Sequence, residues 1–200
     1  MKKSSSAFTL IELLVVISII GILAALALPA ITGALARGQM TQTLSNMRQL
    51  HLATTQMALD GLNTGDADLA WPGDVAAPTF GKWVTSLVDG AYLTAKDCSK
   101  LFSAPGKIVP PAAGEDDIPT KGESALYAYQ VREGSEGSTV FLSTKNYDFS
   151  TGVGAELNPA DVPYGNKGFV IFHKAGDGVV FQKKQATNSD LVGENAAKLD

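Results

Sequence analysis

The sequence predicts an α+β protein in which a long N-terminal α-helix, apolar in its first half, packs on a four-stranded antiparallel sheet. Three observations predict it. No charged residue occurs from residue 13 to residue 36. Beyond that run, Met40, Leu44, Met47, Leu50 and Met57 recur at three-, four- and seven-residue spacing. The C-terminal half then carries four short runs rich in β-branched and aromatic residues, joined in pairs through glycine-containing turns.

The chain has 200 residues, 45% hydrophobic and 18% charged. That composition supports one globular domain with a buried core in addition to the apolar N-terminus. Net charge is −4, and removing Lys2 and Lys3 with a leader takes it to −6. An acidic body has no basic footprint for nucleic acid. Cys98 is the single cysteine, so no intrachain disulfide can form, and the sequence predicts a small, buried, inert thiol there.

The apolar run, interrupted only by Ser18, Gly21, Pro29, Thr32 and Gly33, is about 36 Å long as a helix. A hydrocarbon layer of about 30 Å is within its reach. A secretory signal peptide is one reading, with Lys2 and Lys3 as the basic end and Ala25-Leu26-Ala27 as the cleavage site. A plain membrane anchor with cytoplasmic lysines is another. The run exceeds the 7–15 apolar residues of a usual signal core. Neither reading explains Glu12, the single charge between Lys3 and Arg37. A carboxylate at the centre of a bilayer costs about 2.5–3.5 kcal/mol on insertion scales, and intramembrane acids are ordinarily partnered.

The stretch Ser6-Ala7-Phe8-Thr9-Leu10-Ile11-Glu12-Leu13 resembles the processing site of type IV pilins and type II secretion pseudopilins. The resemblance implies a short basic leader removed by an inner-membrane prepilin peptidase between Ala7 and Phe8. Phe8 then becomes the N-methylated first residue and Glu12 the fifth. Pro29 matches the family's helix-kinking proline. Ala7 departs from the glycine usual before the cut, although a small residue still suits a tight subsite. The resemblance also implies a partner for Glu12, the N-terminal amine of a neighbouring Phe8. Removing one member of such a buried pair strands a charge at a cost of about 3–5 kcal/mol, which makes Glu12 a register pin for assembly. The alternative is an acid that reaches the headgroups and pairs with nothing.

The helix continues as an amphipathic segment to about residue 60, with Gln39, Gln42, Arg48, Gln49 and Gln56 off the apolar stripe and either Gly61 or the Asn63-Thr64-Gly65-Asp66 turn as its stop. The methionines are expected to fill core gaps, and His51 to be structural or solvent-facing. Leu44 to Leu50, Met57 to Asp60 and the pair Trp71-Pro72 are similar to pseudopilins of the type II secretion kind. The organisation that follows is a leader over 1–7, a transmembrane and filament-core helix over 8–36, an amphipathic half over 37–61 and a head over 62–200.

Within the head, apolar residues between Trp83 and Leu93 predict one or two helical turns ending near Gly90. Pro105, Pro110, Pro111 and Pro119 bracket an exposed loop containing Glu115-Asp116-Asp117. Strands are expected over 126–131, 139–143, 168–173 and 179–183, with hairpin turns through 132–137 and 174–178. Two hairpins against a long helix resemble the pilin fold. The loop from Asn146 to Asn166 contains Asp148, Glu156 and Asp161, candidate calcium ligands because some secretion pseudopilins bind calcium in this region. No recognised ligand spacing supports them, and no other cofactor is indicated. His173 is expected on the hairpin surface, Asp177 in its turn, and the polar tail over 185–200 to fray.

No catalytic set emerges, because two histidines, one cysteine and scattered serines form no nucleophile–base pattern. The expected function is a structural subunit of an inner-membrane-derived filament, led by the type II secretion pseudopilin. A type IV pilin for adhesion, motility or DNA uptake is the alternative, and a membrane-tethered periplasmic binding module is the alternative of another class. The implied partners are copies of the chain, other pilin-like subunits, the prepilin peptidase, an inner-membrane assembly platform and the lipid bilayer.

Overall fold

The computed structural model describes residues 9–148, 162–182 and 196–200. The chain divides into two units, Met1–Gly38 and Gln39–Asp200. Helix α1, Leu10–Thr64, belongs to both.

From Leu10 to Leu35 α1 is exposed around its whole circumference, and Leu10, Ile19, Leu26 and Leu35 are all at least half exposed. Its polar side chains are satisfied locally. Ser18 Oγ donates to the Leu14 carbonyl at 2.8 Å and Thr32 Oγ1 to the Pro29 carbonyl at 3.0 Å. Such back-bonding removes hydroxyl donors that lipid could not satisfy. The helix is assigned without a break through Pro29.

In the second unit α1 becomes one-sided. Met40, Met47, Leu50 and Met57 are buried, as are Thr43 and Thr54 on the same face. Leu44 is partly buried against them. Thr54 Oγ1 donates to the Leu50 carbonyl and accepts from Trp83 Nε1 at 3.1 Å, which joins the helix to α2. Tyr92 Oη donates to Asp60 Oδ2 at 2.9 Å. Of the two stops the sequence offers, the helix passes Gly61 and uses the Asn63-Thr64-Gly65-Asp66 turn. A Cβ at Gly61 would lie 1.8 Å from the Leu69 carbonyl oxygen, so this glycine lets the following turn cross the helix closely. The helix ends one turn later, at Thr64, where Gly65 takes φ +75° and its N–H bonds the Gly61 carbonyl at 2.8 Å.

Two short helices follow. In α2, Phe80–Asp89, Thr79 caps the N-terminus and Phe80, Trp83, Val84 and Leu87 face inward. In α3, Ala95–Leu101, Thr94 and Asp97 form a reciprocal capping box. This second helix was legible as Thr94-Ala95-Lys96-Asp97 and went unpredicted because its apolar content is low. Phe80, Trp83, Phe102, Phe141 and Trp71 meet edge to face at 5.1–5.9 Å between ring centroids.

The sheet has four antiparallel strands in sequence order: β1, Leu126–Ala128; β2, Val140–Thr144; β3, Gly168–His173; β4, Gly178–Gln182. Val170 and Phe172 join the core that includes α1, whereas Phe169 and Ile171 join a second cluster with Tyr129, Tyr147 and Phe181. Alternation places these two sets on opposite faces. Tyr147 stacks on Phe169 at 4.0 Å, and Phe169 on Phe181 at 4.8 Å.

β1 is shorter than predicted because the chain end takes over its pairing. Gln130 N–H bonds the Ala197 carbonyl at 2.7 Å, and Leu199 N–H bonds the Ala128 carbonyl at 2.9 Å. The expected fraying of the tail is therefore corrected for residues 196–200. Leu199 is 2% exposed within the main core, and Phe80 N–H bonds the Asp200 carbonyl at 2.8 Å. Ala196 packs against the second cluster, and Lys198 and Asp200 pair with Asp148 and Lys121, so polar contacts help to seat the segment.

Candidate functional site

The site singled out by the sequence lies at the start of α1. Thr9 is its cap. Glu12 Oε2 accepts from Thr9 N–H at 2.9 Å and from Thr9 Oγ1 at 2.6 Å, while Glu12 N–H donates to Thr9 Oγ1 at 3.3 Å. Thr9-Leu10-Ile11-Glu12 is thus a capping box, in which two otherwise orphaned N–H groups are satisfied by side chains three residues apart. Glu12 also places negative charge in the first turn, where the helix dipole favours it.

Sequence reasoning looked for the partner of Glu12 on another subunit and missed Thr9. The signal was present, a threonine three residues before a glutamate at the head of an apolar run. Both bonds converge on one carboxylate oxygen. A carboxylate has about four lone-pair sites, so the local cap does not exhaust its capacity to accept a further donor. Ala7 and Phe8 lie outside the described residues. Pro29 lies inside α1.

From Leu10 to Leu35 this helix presents large aliphatic side chains to all sides, and α1 is long and apolar enough to cross a membrane. Such a surface needs lipid or other apolar helices as its surroundings, because water would have to hydrate it all round.

The remaining candidates have structural roles where they are described. Asp148 accepts from Lys198 Nζ at 2.5 Å, both side chains being about a quarter exposed. Glu156 and Asp161 lie outside the described residues. Among the described residues no group of three His, Cys, Asp or Glu side chains is placed to hold a metal ion. In the acidic loop, Asp117 Oδ2 is spent on the Ala113 N–H at 2.9 Å.

Cys98 is fully buried, and burial pushes its thiol up to about 12. His51 is buried between Trp71, Phe141 and Phe172, and its Nε2 donates to the Lys174 carbonyl at 2.7 Å. Desolvation lowers its pKa below 6.5. His173 is not the surface residue the sequence predicts. It is 7% exposed, with Nδ1 2.7 Å from Asp177 Oδ2, because β3 is covered on both faces.

Comparison with known proteins places this architecture. Residues 2–28 match the family model described as the prokaryotic N-terminal methylation motif. A type IV major fimbrial protein FimA of Dichelobacter nodosus is 31% identical over 133 residues, covering 64% of this chain and 78% of the relative. The chain belongs to the type IV pilin family. A FimA from Dichelobacter nodosus strain VCS1703A is 38% identical over 103 residues, and a fimbrial protein of the same species is 40% identical over 97. The chain spans 63% and 60% of these two relatives' lengths, each match covering 48% of this chain. No solved structure gives a significant match. The relatives are structural proteins, and this chain is a type IV pilin-like filament subunit.

Proposed function

We propose that the chain is a type IV pilin, made as a prepilin and built into a surface filament used for adhesion, motility or DNA uptake. The observation that carries this is the exposed apolar first half of α1, headed by a capped carboxylate at Glu12. Prepilin peptidase cuts between Ala7 and Phe8, and Phe8 is N-methylated. Before assembly the leader is cytoplasmic, α1 crosses the inner membrane once and the head is periplasmic. The assembly platform then draws the subunit from the bilayer. The FimA relatives favour this reading over a type II secretion pseudopilin, which the stretch around Leu44–Leu50 and Trp71-Pro72 resembles. Deleting the secretion machine's ATPase or the pilus ATPase separates the two, since filament yield follows one of them.

In assembly, Glu12 holds Thr9 in the cap and offers its remaining lone pairs to a neighbouring Phe8 amine, which sets axial register. The experiment is mass spectrometry of the mature chain with and without prepilin peptidase. A methylated N-terminus at Phe8 that requires the enzyme is expected. Normal maturation without it, or a cut near Ala27, overturns the proposal. Glu12→Leu should insert normally and enter filaments poorly, and wild-type filament yield from that variant would remove the register role.

A further inference from the structure

In a chain of net charge −4, positive charge is concentrated at one place in the head. Lys145 follows β2, and its N–H bonds the Ala125 carbonyl at 3.0 Å, carrying the β1–β2 pairing one residue further. Its side chain is half-buried, and its Nζ donates to the Lys121 carbonyl. The same Nζ lies 5.5 Å from the centroid of the Tyr127 ring. Lys198, brought in by the terminal segment, lies 4.6 Å from that centroid. The charges of Lys107, Lys121 and Lys198 all act on Lys145.

The nearby carboxylates serve the neighbours. Asp148 pairs with Lys198 at 2.5 Å and Asp200 with Lys121 at 3.1 Å. Glu123, held ionised first by the Thr120 N–H and hydroxyl, also feels Lys107. Among the described residues Lys145 is in no ion pair, and its Nζ partners are a carbonyl and an aromatic ring. Burial and three like charges both disfavour an ammonium there. Burial first, then these lysines, pulls the Lys145 amine down to about 8. A lysine that is desolvated and set beside other cations is activated as a nucleophile. Surroundings that repel a cation at this point would hold an anion there.

We infer that Lys145 is a reversible modification site for dissolved carbon dioxide, taken up as a carbamate that the neighbouring lysines hold. The Nζ lone pair bonds to the carbon of CO2, one C–O π pair moves onto oxygen, and one proton leaves Nζ for solvent. No oxidant, reductant or leaving group is needed. The product carries a negative charge where the ammonium carried a positive one, and it faces Lys107, Lys121 and Lys198. Its remaining N–H can still donate to the Lys121 carbonyl. Carbon dioxide suits a half-buried amine because it is small and uncharged, so no charge is desolvated on entry. The inference is independent of the filament reading.

The test is carbon-13 NMR of the full chain in detergent with carbon-13 bicarbonate near pH 8, where about half of the Lys145 amine is neutral. The expected result is a carbamate signal that falls tenfold or more in Lys145→Arg and is unchanged in Lys96→Arg with Lys100→Arg, both exposed lysines of α3. The α-amine, ordinarily near pKa 7.7–8.0, forms its own carbamate, and that signal remains in every variant. Lys107→Gln leaves Lys145 in place and should lower the Lys145 signal threefold or more, since one holding cation is gone. An unchanged signal in that variant overturns the inference as stated. In the wild-type chain, trapping the carbamate by alkylation and mapping it by peptide mass spectrometry should mark Lys145 at least tenfold above Lys96 and Lys100. Equal marking of the three, or an NMR signal untouched by Lys145→Arg, overturns the inference. Bicarbonate bound only as a free anion gives no Lys145 carbamate signal and overturns it too.

Discussion

The two halves of α1 are built from one continuous helix, yet they satisfy their side chains in opposite ways. From Leu13 to Leu35 the helix is apolar on every face, and its large aliphatic residues are exposed. After Gln39 it buries Met40, Met47, Leu50 and Met57 on one side and keeps glutamines and Arg48 on the other. Helix propensity does not separate them, since both are helical. Environment does. The first half is fitted to surroundings outside the chain, the second to a core that the chain supplies.

That contrast can be broken by matched truncations. Leu50→Ala should cost the head about 2–5 kcal/mol, the usual range for a buried leucine, read by denaturant unfolding of the detergent-solubilised chain. Leu23→Ala should leave that unfolding within about 0.5 kcal/mol, because Leu23 is exposed in the first unit. Comparable losses from both would show that the head draws stability from the apolar half.

The next effect in size is at the turn after α1. Gly61→Ala places a methyl group where the Leu69 carbonyl oxygen now sits, and forcing apart two backbone segments should cost about 1–3 kcal/mol. Gly33→Ala, whose Cβ meets nothing within 4 Å, should be neutral in the same measurement. Smaller still is the loss of the cap. Thr9→Ala should cost about 1 kcal/mol locally, seen as faster amide exchange in the first turn of α1, with head unfolding unchanged.

The gentlest probe is pH. His51 has its pKa lowered by burial, partly offset by its bond to the Lys174 carbonyl and by Asp177. The folded head therefore binds this proton less readily than the unfolded chain does. Above about pH 6.5 both states are neutral at this site and its contribution is constant; below that, the unfolded state takes up the proton first and stability falls. His51→Gln, which keeps a donor for the Lys174 carbonyl, should flatten that slope between pH 6.5 and the lowered folded value.

Much of this was legible in the chain. The seven-residue recurrence of methionine and leucine after residue 39 named the buried stripe, and the glycines of 174–178 marked the β3–β4 turn, where Gly176 takes φ +89°. Burial of Cys98 followed from its chemistry. What misled were residues whose role depends on a distant neighbour. Gly61 has the composition of a helix stop, but its function is to admit the Leu69 carbonyl. His173 sits in a strand whose far face is also covered, and one sequence cannot show that a sheet is buried on both sides. The terminal segment looked too polar to pack, but Leu199 reaches the main core and Ala196 packs against the second cluster.

The N-terminal site divides in the same way. Its elements, Thr9 and Glu12 ahead of an apolar run with Pro29 inside it, are fixed by sequence, because capping and membrane partition depend on residue type and local spacing. The sequence likewise determined the helix and the two hairpins, which follow from short-range periodicity and turn chemistry. Only the tertiary structure decided what Gly61 admits and how the chain terminus covers the β1 edge. Those outcomes depend on contacts between residues far apart in sequence, which no local pattern encodes.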